Sequence, residues 1–220
     1  MEPDAVEIRV VACLIEKQRT TPDVYPLSVN ALRLACNQST NRDPVVSYDE
    51  EAVVEALRRL ALRGWTRLAS GAGSRARKYR HLLDEALEVD GPEISLLAVL
   101  MLRGAQTPGQ LKQRTERLHD FESLAAVHQA LDRLVERDLV ARHPRRPGQK
   151  EDRYEHLLGS EGPAADPPLG SEAGDEEAAA ANQAATTNGP GGADRLERIE
   201  RELAELREQL ETLRDELGGG

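Results

Sequence analysis

The sequence predicts a mainly α-helical fold of the α+β class, with two winged-helix modules in tandem. One observation is a repeated ending: the run KYRHLL over residues 78–83 recurs as RYEHLL over residues 153–158. Another is that each ending closes a segment with the pattern of three helices followed by a short basic hairpin. Recurrence of a whole set of elements predicts two copies of one small unit. A winged helix has this order of elements, and such a fold more often docks nucleic acid or protein than catalyses a reaction.

Apolar positions at helical spacing extend the repeat into the helices. Those of the first and third helices of the first module are Ile8, Val11, Ala12 and Ile15, and Val53, Leu57 and Leu60. The first set recurs at an offset of 86 residues and the second at an offset of 74. Each set follows the i, i+3, i+4 spacing of a buried helix face. The first module therefore carries twelve extra residues, within an insertion over residues 19–48.

Capping and breaking residues predict the elements of the first module, residues 1–90. Acidic residues favour the first turn of a helix, prolines interrupt it, and serine or aspartate caps the next one. Glycine after a helix is typical of its C-terminal cap. The predicted elements are helices over Asp4–Lys17 and Val29–Cys36 (capped by Ser28), a helix from Ser47 or Asp49 to Gly64, hairpin strands over Trp65–Ala69 and Ser74–His81, and a short helix over Leu82–Leu87.

The second module, residues 91–158, follows the same order with shorter connections. A threonine followed by proline predicts a capped helix start, because proline fits the first helical position. The predicted elements are helices over Glu93–Arg103, from Pro108 to about Arg117 and over Ser123–Asp138, and hairpin strands over Leu139–His143 and Lys150–His156.

The C-terminal part differs in composition from both modules. Residues 159–193 contain glycine, proline, alanine and acidic residues with few large apolar side chains, which predicts a disordered acidic linker. Residues 194–217 show an alternating spacing of three and four, which predicts a coiled-coil helix. Its seam residues are Leu196, Ile199, Leu203, Leu206, Leu210, Leu213 and Leu217. Two interpretations remain open: self-association through this seam, or a single helix that docks back on the modules.

Charge is divided unevenly along the chain, whose formal net charge is −10. Residues 1–160 hold 24 acidic and 24 basic residues, and residues 161–220 hold 15 and 5. The acidic excess therefore does not argue against a nucleic-acid partner for the modules.

Two dispersed cysteines predict small buried residues in a reducing compartment, and no apolar run is long enough to span a bilayer. We expect a cytoplasmic protein with no membrane partner.

The two hairpins, or wings, carry the basic runs of the sequence. Guanidinium groups suit contacts with phosphate, so we predict that these residues contact double-stranded DNA. They are Arg67, Arg75, Arg77, Lys78 and Arg80 in the first wing, and Arg142, Arg145, Arg146 and Lys150 in the second. The alternative interpretation is a solvated hairpin whose charges protect an edge strand from pairing.

Other candidate features point away from base reading and catalysis. The third helix of the first module begins with Asp49-Glu50-Glu51, whose carboxylates would face phosphates, and this disfavours base reading there. A lone histidine recurs as His81 and His156, and we interpret both as packing or hydrogen-bonding residues. No arrangement typical of a catalytic, cofactor-binding or metal site occurs. We therefore predict no enzymatic activity and no cofactor.

The insertion contains the run EKQRTTPDVYP over residues 16–26 and the run ACNQSTNRDPV over residues 35–45. These runs resemble the signature of the YceH-like family of uncharacterised bacterial proteins, and residues 73–83 and 145–158 extend the resemblance. It covers about residues 7–158 and implies a tandem winged-helix fold, without catalytic or ligand residues to transfer. Ser39 stands where the family pattern has lysine. The polar loop either ties its own backbone together or forms a binding surface.

Two functions follow as hypotheses. The leading one is a non-enzymatic DNA-associated regulator that acts as a homodimer through its basic wings. The alternative is a protein-docking adaptor similar to the tandem winged-helix partners of chromosome-condensing complexes. The acidic start of the third helix, the neutral charge of the modules and the predicted coiled coil favour this alternative. The expected partners are thus double-stranded DNA, a second copy of the chain, or another protein.

Overall fold

The computed structural model describes residues 2–69, 76–145 and 151–159, in which seven α-helices combine with two small antiparallel sheets. This mostly helical α+β structure is consistent with a winged-helix-like fold, as predicted. The described residues belong to one unit, residues 1–165. The heptad segment, the linker beyond Gly159, and Arg75, Arg146 and Lys150 lie outside the described residues.

The first half of this unit begins with a well-capped helix. Asp4 accepts a hydrogen bond from the backbone N–H of Glu7, and the Glu7 side chain accepts one from the backbone N–H of Asp4, which forms a capping box. The elements are α1 (Ala5–Thr20), a 3₁₀ turn (Pro22–Val24), β1 (Leu27–Ser28), α2 (Val29–Cys36), α3 (Glu50–Leu62), β2 (Thr66–Leu68), β3 (Lys78–His81) and α4 (Leu83–Leu87). Asp49 is the residue that caps α3, and α1 runs three residues beyond the predicted end.

The second half repeats the order of three helices followed by two paired strands. Its helices and strands are α5 (Gly91–Arg103), α6 (Pro108–Thr115), α7 (Leu124–Glu136), β4 (Val140–His143) and β5 (Arg153–His156). Helix α5 begins two residues before the predicted start, because Asp90 and Glu93 form a second capping box. Thr107 and Gln110 form a third at the start of α6, and this helix ends at Thr115 rather than near Arg117.

A short third strand in the first sheet was not predicted. Strand β3 lies between β1 and β2, with Leu27 opposite Tyr79 and Thr66 opposite His81. In the second sheet β4 pairs with β5, and Gln106 forms an isolated bridge with Tyr154 at the place that corresponds to β1. Two residues are too few for an alternating apolar pattern, so this strand has no recognisable signal in the sequence.

The position of the second helices divides the insertion into two parts. Ser28 caps α2 and Thr107 caps α6, an offset of 79 residues that falls between the offsets of 86 and 74 for the first and third helices. Seven of the twelve extra residues of the first half therefore precede α2, and five lie between α2 and α3.

One apolar core joins the two halves. Helix α1 packs more extensively against α5 than against any other element, and residues 10–15 and 94–102 are buried throughout. A helix that is buried all round belongs to the middle of a core. Cys13 and Cys36 are buried free thiols, as predicted. The division into modules at residue 90 stays a prediction. In the described part of the chain no helix is long and apolar enough to cross a bilayer.

Candidate nucleic-acid interface

The first wing presents unpaired positive charge. Arg67 lies directly opposite Arg80 across β2 and β3, and Lys78 lies opposite Ser28. The side chains of Arg67, Arg77 and Lys78 are exposed and make no ion pair with any carboxylate of the described residues. Arg67 therefore faces another arginine across the sheet and has no acidic partner of its own among the described residues.

Arg80 differs from its neighbours on the first wing. Its side chain is partly buried, and its guanidinium lies 3.2 Å from the Glu85 carboxylate of α4. Of the four candidate residues of this wing that the structure describes, three are therefore free to meet an anion and one is already paired.

The second wing is partly neutralised by its own acid. The Nε of Arg142 donates to Asp152 at 2.8 Å, and the backbone N–H of Arg145 donates to the other carboxylate oxygen at 2.9 Å. The Arg145 N–H and the Arg142 guanidinium together lower the pKa of Asp152 below its ordinary value. The Arg145 side chain is exposed. The two wings thus differ in how many of their described basic residues are paired with an acid.

The start of α3 is acidic, as predicted. Asp49 is engaged in the cap, where its carboxylate accepts from the backbone N–H of Ala52 at 2.8 Å. Glu50 and Glu51 are exposed on the first turn. These carboxylates interact well with the helix dipole and poorly with phosphate. The N-terminal end of α3 is therefore an acidic surface, whereas the described basic residues of the first wing are positively charged.

A buried arginine holds the insertion in place. The Arg42 guanidinium donates to both carboxylate oxygens of Glu16, at 2.6 and 3.0 Å, and its Nε donates to the carbonyl of Ala35 at 3.1 Å. Burial alone would raise the pKa of Glu16, but the hydrogen bonds and charge of Arg42 outweigh burial and lower this pKa. The connection between α2 and α3 is thus tied to α1 by a charged pair.

Further hydrogen bonds close the same loop. The Asn37 amide donates to the carbonyl of Tyr48 and accepts from its N–H, both at 2.8 Å. Arg9 of α1 donates to the carbonyl of Pro44 at 2.8 Å. The N–H of Asp43 donates to the carbonyl of Leu102 in the second half, at 2.8 Å. The polar residues of the insertion thereby tie their own backbone together, which was one of the two interpretations of the sequence.

The repeated histidines are packing residues. His81 is buried, its Nε2 lies 2.6 Å from the amide oxygen of Gln18, and its backbone N–H donates to the Tyr25 hydroxyl. Burial lowers the pKa of His81 to about 4, although the Asp84 carboxylate acts in the opposite direction. Burial likewise lowers the pKa of His156 to about 4. Both imidazoles are therefore neutral at physiological pH.

Acid is expected to destabilise the fold through these histidines. A pKa below the ordinary 6.5 means that the unfolded chain binds protons more readily, so stability is retained above pH 6.5 and falls as the pH approaches 4. Lowering the pH from 7 to 5 should reduce the free energy of unfolding by about 1–2 kcal/mol for each histidine. Urea unfolding at both pH values measures this decrease. The double variant His81→Asn/His156→Asn should show a smaller one, and an equal decrease in both proteins would contradict the assignment.

Two equivalent charged clusters were not predicted from the sequence. The buried carboxylate of Glu7 lies 3.2 Å from Arg63, and that of Glu93 lies 2.7 Å from Arg133. In each half the acid at the start of the first helix is paired with arginines at the end of the third. The complete sets are Asp4, Glu7, Arg59 and Arg63 in the first half and Asp90, Glu93, Arg133 and Arg137 in the second.

The signal for these clusters was present in the sequence. The acids recur at the offset of 86 residues and the arginines at the offset of 74, as do the apolar positions of the same helices. Charged residues on helices are usually solvated, so an acid or an arginine alone does not indicate a buried ion pair. The indication here is that both the acids and the arginines recur at the offsets of the repeat. Within the described residues, no group of three or more histidine, cysteine, aspartate or glutamate side chains is placed to hold a metal ion.

Comparison with known proteins identifies the family. A family model described as a protein of unknown function, DUF480, matches residues 4–149. A UPF0502 protein of Cronobacter sakazakii is 42% identical over 97% of both chains, and one of Geotalea daltonii is 51% identical over 71% of this chain and 72% of that one. The UPF0502 protein YceH of Salmonella paratyphi B is 40% identical over 99% of this chain and 98% of its own length. The resemblance noted in the sequence is thus confirmed, and the chain belongs to the DUF480, or UPF0502, family of bacterial proteins of unknown function.

Proposed function

We propose that this protein is a non-enzymatic, DNA-associated regulator that uses the first wing to contact phosphates. The observation that carries the proposal is the exposed set Arg67, Arg77 and Lys78, which has no carboxylate partner among the described residues. Exposed charges of this kind stay hydrated in the free protein, and they raise its affinity for a polyanion through counterion release. Arg142 of the second wing is already paired with Asp152 and contributes less.

The proposed architecture adds to this contact. Each half is a winged-helix module, and two copies associate through the heptad seam predicted over residues 194–217, which lie outside the described residues. A dimer of this kind presents two first wings, so phosphate contacts double without any new side chain. The acidic start of α3 makes the binding insensitive to base sequence in the first module.

Removal of the three charges of the first wing should weaken DNA binding. The variant Arg67→Ala/Arg77→Ala/Lys78→Ala is compared with the unaltered full chain by fluorescence anisotropy on random duplex DNA at ~50 and ~200 mM salt. We expect about tenfold weaker binding at low salt and a salt dependence whose slope falls by about 1 for each phosphate-binding side chain that is removed.

The control removes an exposed arginine that lies outside both the wings and α3. Arg117 follows α6 and is exposed. The variant Arg117→Ala should bind DNA nearly as well as the unaltered chain. Unchanged binding by the triple variant, or equal weakening in the control, would rule out the first wing as the DNA contact.

The second candidate function is a protein-docking adaptor that does not bind DNA directly. The observation in its favour is the exposed acidic turn at Glu50 and Glu51, where a base-reading helix would carry neutral or basic side chains. Absence of DNA binding at ~50 mM salt would favour this function. A pulldown at modest salt that enriches no protein partner would count against it.

A further inference from the structure

The two cysteines of the chain meet inside the first half. Cys13 lies on α1, Cys36 is the last residue of α2, and neither side chain is exposed to solvent. The Cys36 thiol donates a hydrogen bond to the sulfur of Cys13. Two thiols that are far apart in the sequence are thus in direct contact where the first two helices pack together.

The hydrogen bonds around this contact hold the end of α2 against α1. Arg9, one turn before Cys13, donates to the carbonyl of Cys36 at 3.4 Å. Glu16, about one turn after Cys13, binds the guanidinium of Arg42. The Nε of Arg42 donates in turn to the carbonyl of the residue before Cys36, at 3.1 Å. Residues at these spacings share one face of a helix, so Cys13 lies between the two connections that hold the end of α2.

The second half of the chain provides a built-in comparison. At the offset of 86 residues, Val99 takes the place of Cys13 and a serine takes the place of Arg9. Thr115, the last residue of α6, takes the place of Cys36 at the offset of 79 residues. The same pair of helices is thus packed there without a thiol or a guanidinium. Reactivity, rather than packing, usually explains a cysteine that the fold does not require.

The two sulfurs differ in acidity. Burial alone raises the pKa of Cys13, and the Glu16 carboxylate acts in the same direction. The hydrogen bond from Cys36 and the guanidiniums of Arg42 and Arg9 outweigh both, and they lower this pKa below its ordinary value. The same hydrogen bond, together with burial, raises the pKa of Cys36. Cys13 is therefore the sulfur that loses its proton first, and the thiolate is the reactive form of cysteine.

We propose that Cys13 and Cys36 are a peroxide-responsive dithiol, in which Cys13 attacks the oxidant and Cys36 closes the disulfide. The Cys13 thiolate attacks one oxygen of hydrogen peroxide, the O–O bond breaks, and the leaving hydroxide becomes water with the proton that Cys13 released. The Cys36 sulfur then attacks the sulfenic acid, and the S–S bond forms as the S–O bond breaks. The departing oxygen leaves as a second water with the proton of Cys36. One peroxide thus oxidises both sulfurs and is reduced to two waters.

Burial selects a small oxidant. The Arg42 side chain is fully buried, but the Glu16 side chain that binds it is 13% exposed. Asn37 and Gln38, which follow Cys36, are half-buried. Hydrogen peroxide is close to water in size and needs only a small local opening of this cover, whereas a bulky disulfide needs a larger one. The dithiol therefore responds to peroxide in preference to exchange with bulky disulfides.

The new bond acts on the insertion. An S–S bond of about 2.05 Å is shorter than any contact between unbonded sulfurs, so oxidation draws the end of α2 toward α1. The loop after Cys36 is tied to Arg9 of α1 at Pro44 and to Leu102 of the second half at Asp43. Oxidation thus shifts the start of a loop that contacts both halves. Thiols reverse the change by exchange, and the device does not depend on the proposed DNA contact.

Peroxide treatment of the folded full chain tests the proposal. The reduced protein is exposed to hydrogen peroxide, quenched with catalase, unfolded and alkylated, and its intact mass is measured. We expect an intramolecular disulfide, seen as the loss of two hydrogens and of both alkylation sites, and its reversal by dithiothreitol. Two fully alkylated thiols after this treatment would overturn the proposal. This measurement uses no substitution, so it stands even if a variant fails to fold.

Serine variants assign the roles of the two sulfurs. In Cys36→Ser the hydroxyl still donates to Cys13, so the sulfenic acid of Cys13 should form, remain unresolved and react with dimedone. In Cys13→Ser the remaining thiol has a raised pKa, and we expect at least about tenfold less dimedone labelling. Equal labelling of the two variants would contradict the assigned roles.

The matched control is a buried cysteine at the equivalent place in the second half. The variant Cys13→Ser/Cys36→Ser/Val99→Cys has one thiol, on α5, without the arginines that surround Cys13. We expect this thiol to stay reduced under the same treatment. Labelling as fast as that of Cys36→Ser would show that the surroundings of Cys13 do not activate it, and would overturn the proposal. DNA binding is measured separately, so either proposal can fail alone.

Discussion

Replacement of Arg42 by methionine is expected to lower the free energy of unfolding by about 3–4 kcal/mol. The arginine side chain is fully buried, and it satisfies both oxygens of the Glu16 carboxylate and the carbonyl of Ala35. Methionine fills much of the same volume but donates no hydrogen bond. Removal of one partner of a buried ion pair leaves the other charge without compensation, and this cost usually exceeds the worth of the pair itself. Urea unfolding followed by far-UV circular dichroism measures the change.

A second variant distinguishes the effect of the Glu16–Arg42 ion pair on stability from the effect of side-chain packing. In Glu16→Met/Arg42→Met both charges are absent, so the uncompensated carboxylate of the single variant is removed as well. We expect the double variant to be much more stable than Arg42→Met, since apolar replacement of a buried pair is often nearly neutral. A decrease below about 1 kcal/mol in Arg42→Met would show that the loop does not depend on this arginine.

The helices of this fold could be predicted well because their signals are local. Ser28, Asp49, Thr107 and Ser123 each precede a helix, and each side chain accepts a hydrogen bond from the first turn. A capping residue and the apolar spacing after it lie within a few positions of one another. Strands β3 and β5 could also be predicted from local sequence, because the two repeated endings that contain them resemble each other directly.

Features that depend on contacts between distant residues could not be predicted. Strand β1 exists because β3 offers a free edge to Leu27 and Ser28. The burial of Arg42 depends on Glu16 of α1, and the composition of the loop left open whether its polar side chains bond its own backbone or form a binding surface. The charge difference between the wings depends on Asp152, whose single carboxylate meets both Arg142 and Arg145. The sequence indicates how many basic residues each wing has, and the structure shows which of the described ones are already paired.

The second large loss of stability is expected from changes in the two charged clusters at the starts of α1 and α5. Replacement of Glu7 or of Glu93 by alanine is expected to lower the free energy of unfolding by about 2–3 kcal/mol, and by similar amounts in the two halves. Each glutamate accepts from the backbone N–H of its capping aspartate and contacts arginines of the third helix. Each change thus removes half of a capping box together with charge-assisted hydrogen bonds. The decrease stays below that of Arg42→Met, because the arginines left behind reach water.

The more specific prediction is that Glu7→Ala and Glu93→Ala lower the free energy of unfolding by equal amounts. If each cluster secures the third helix of its half to the first, Glu7→Ala and Glu93→Ala act on the same interaction in two copies. Urea unfolding measures both variants, and the control is Glu51→Ala, an exposed first-turn glutamate that belongs to neither cluster, with an expected change within about 0.5 kcal/mol. A difference above about 1.5 kcal/mol between Glu7→Ala and Glu93→Ala would show that the halves rely on different contacts. Similar decreases would extend the internal repeat from the apolar core to the charged residues that orient its helices.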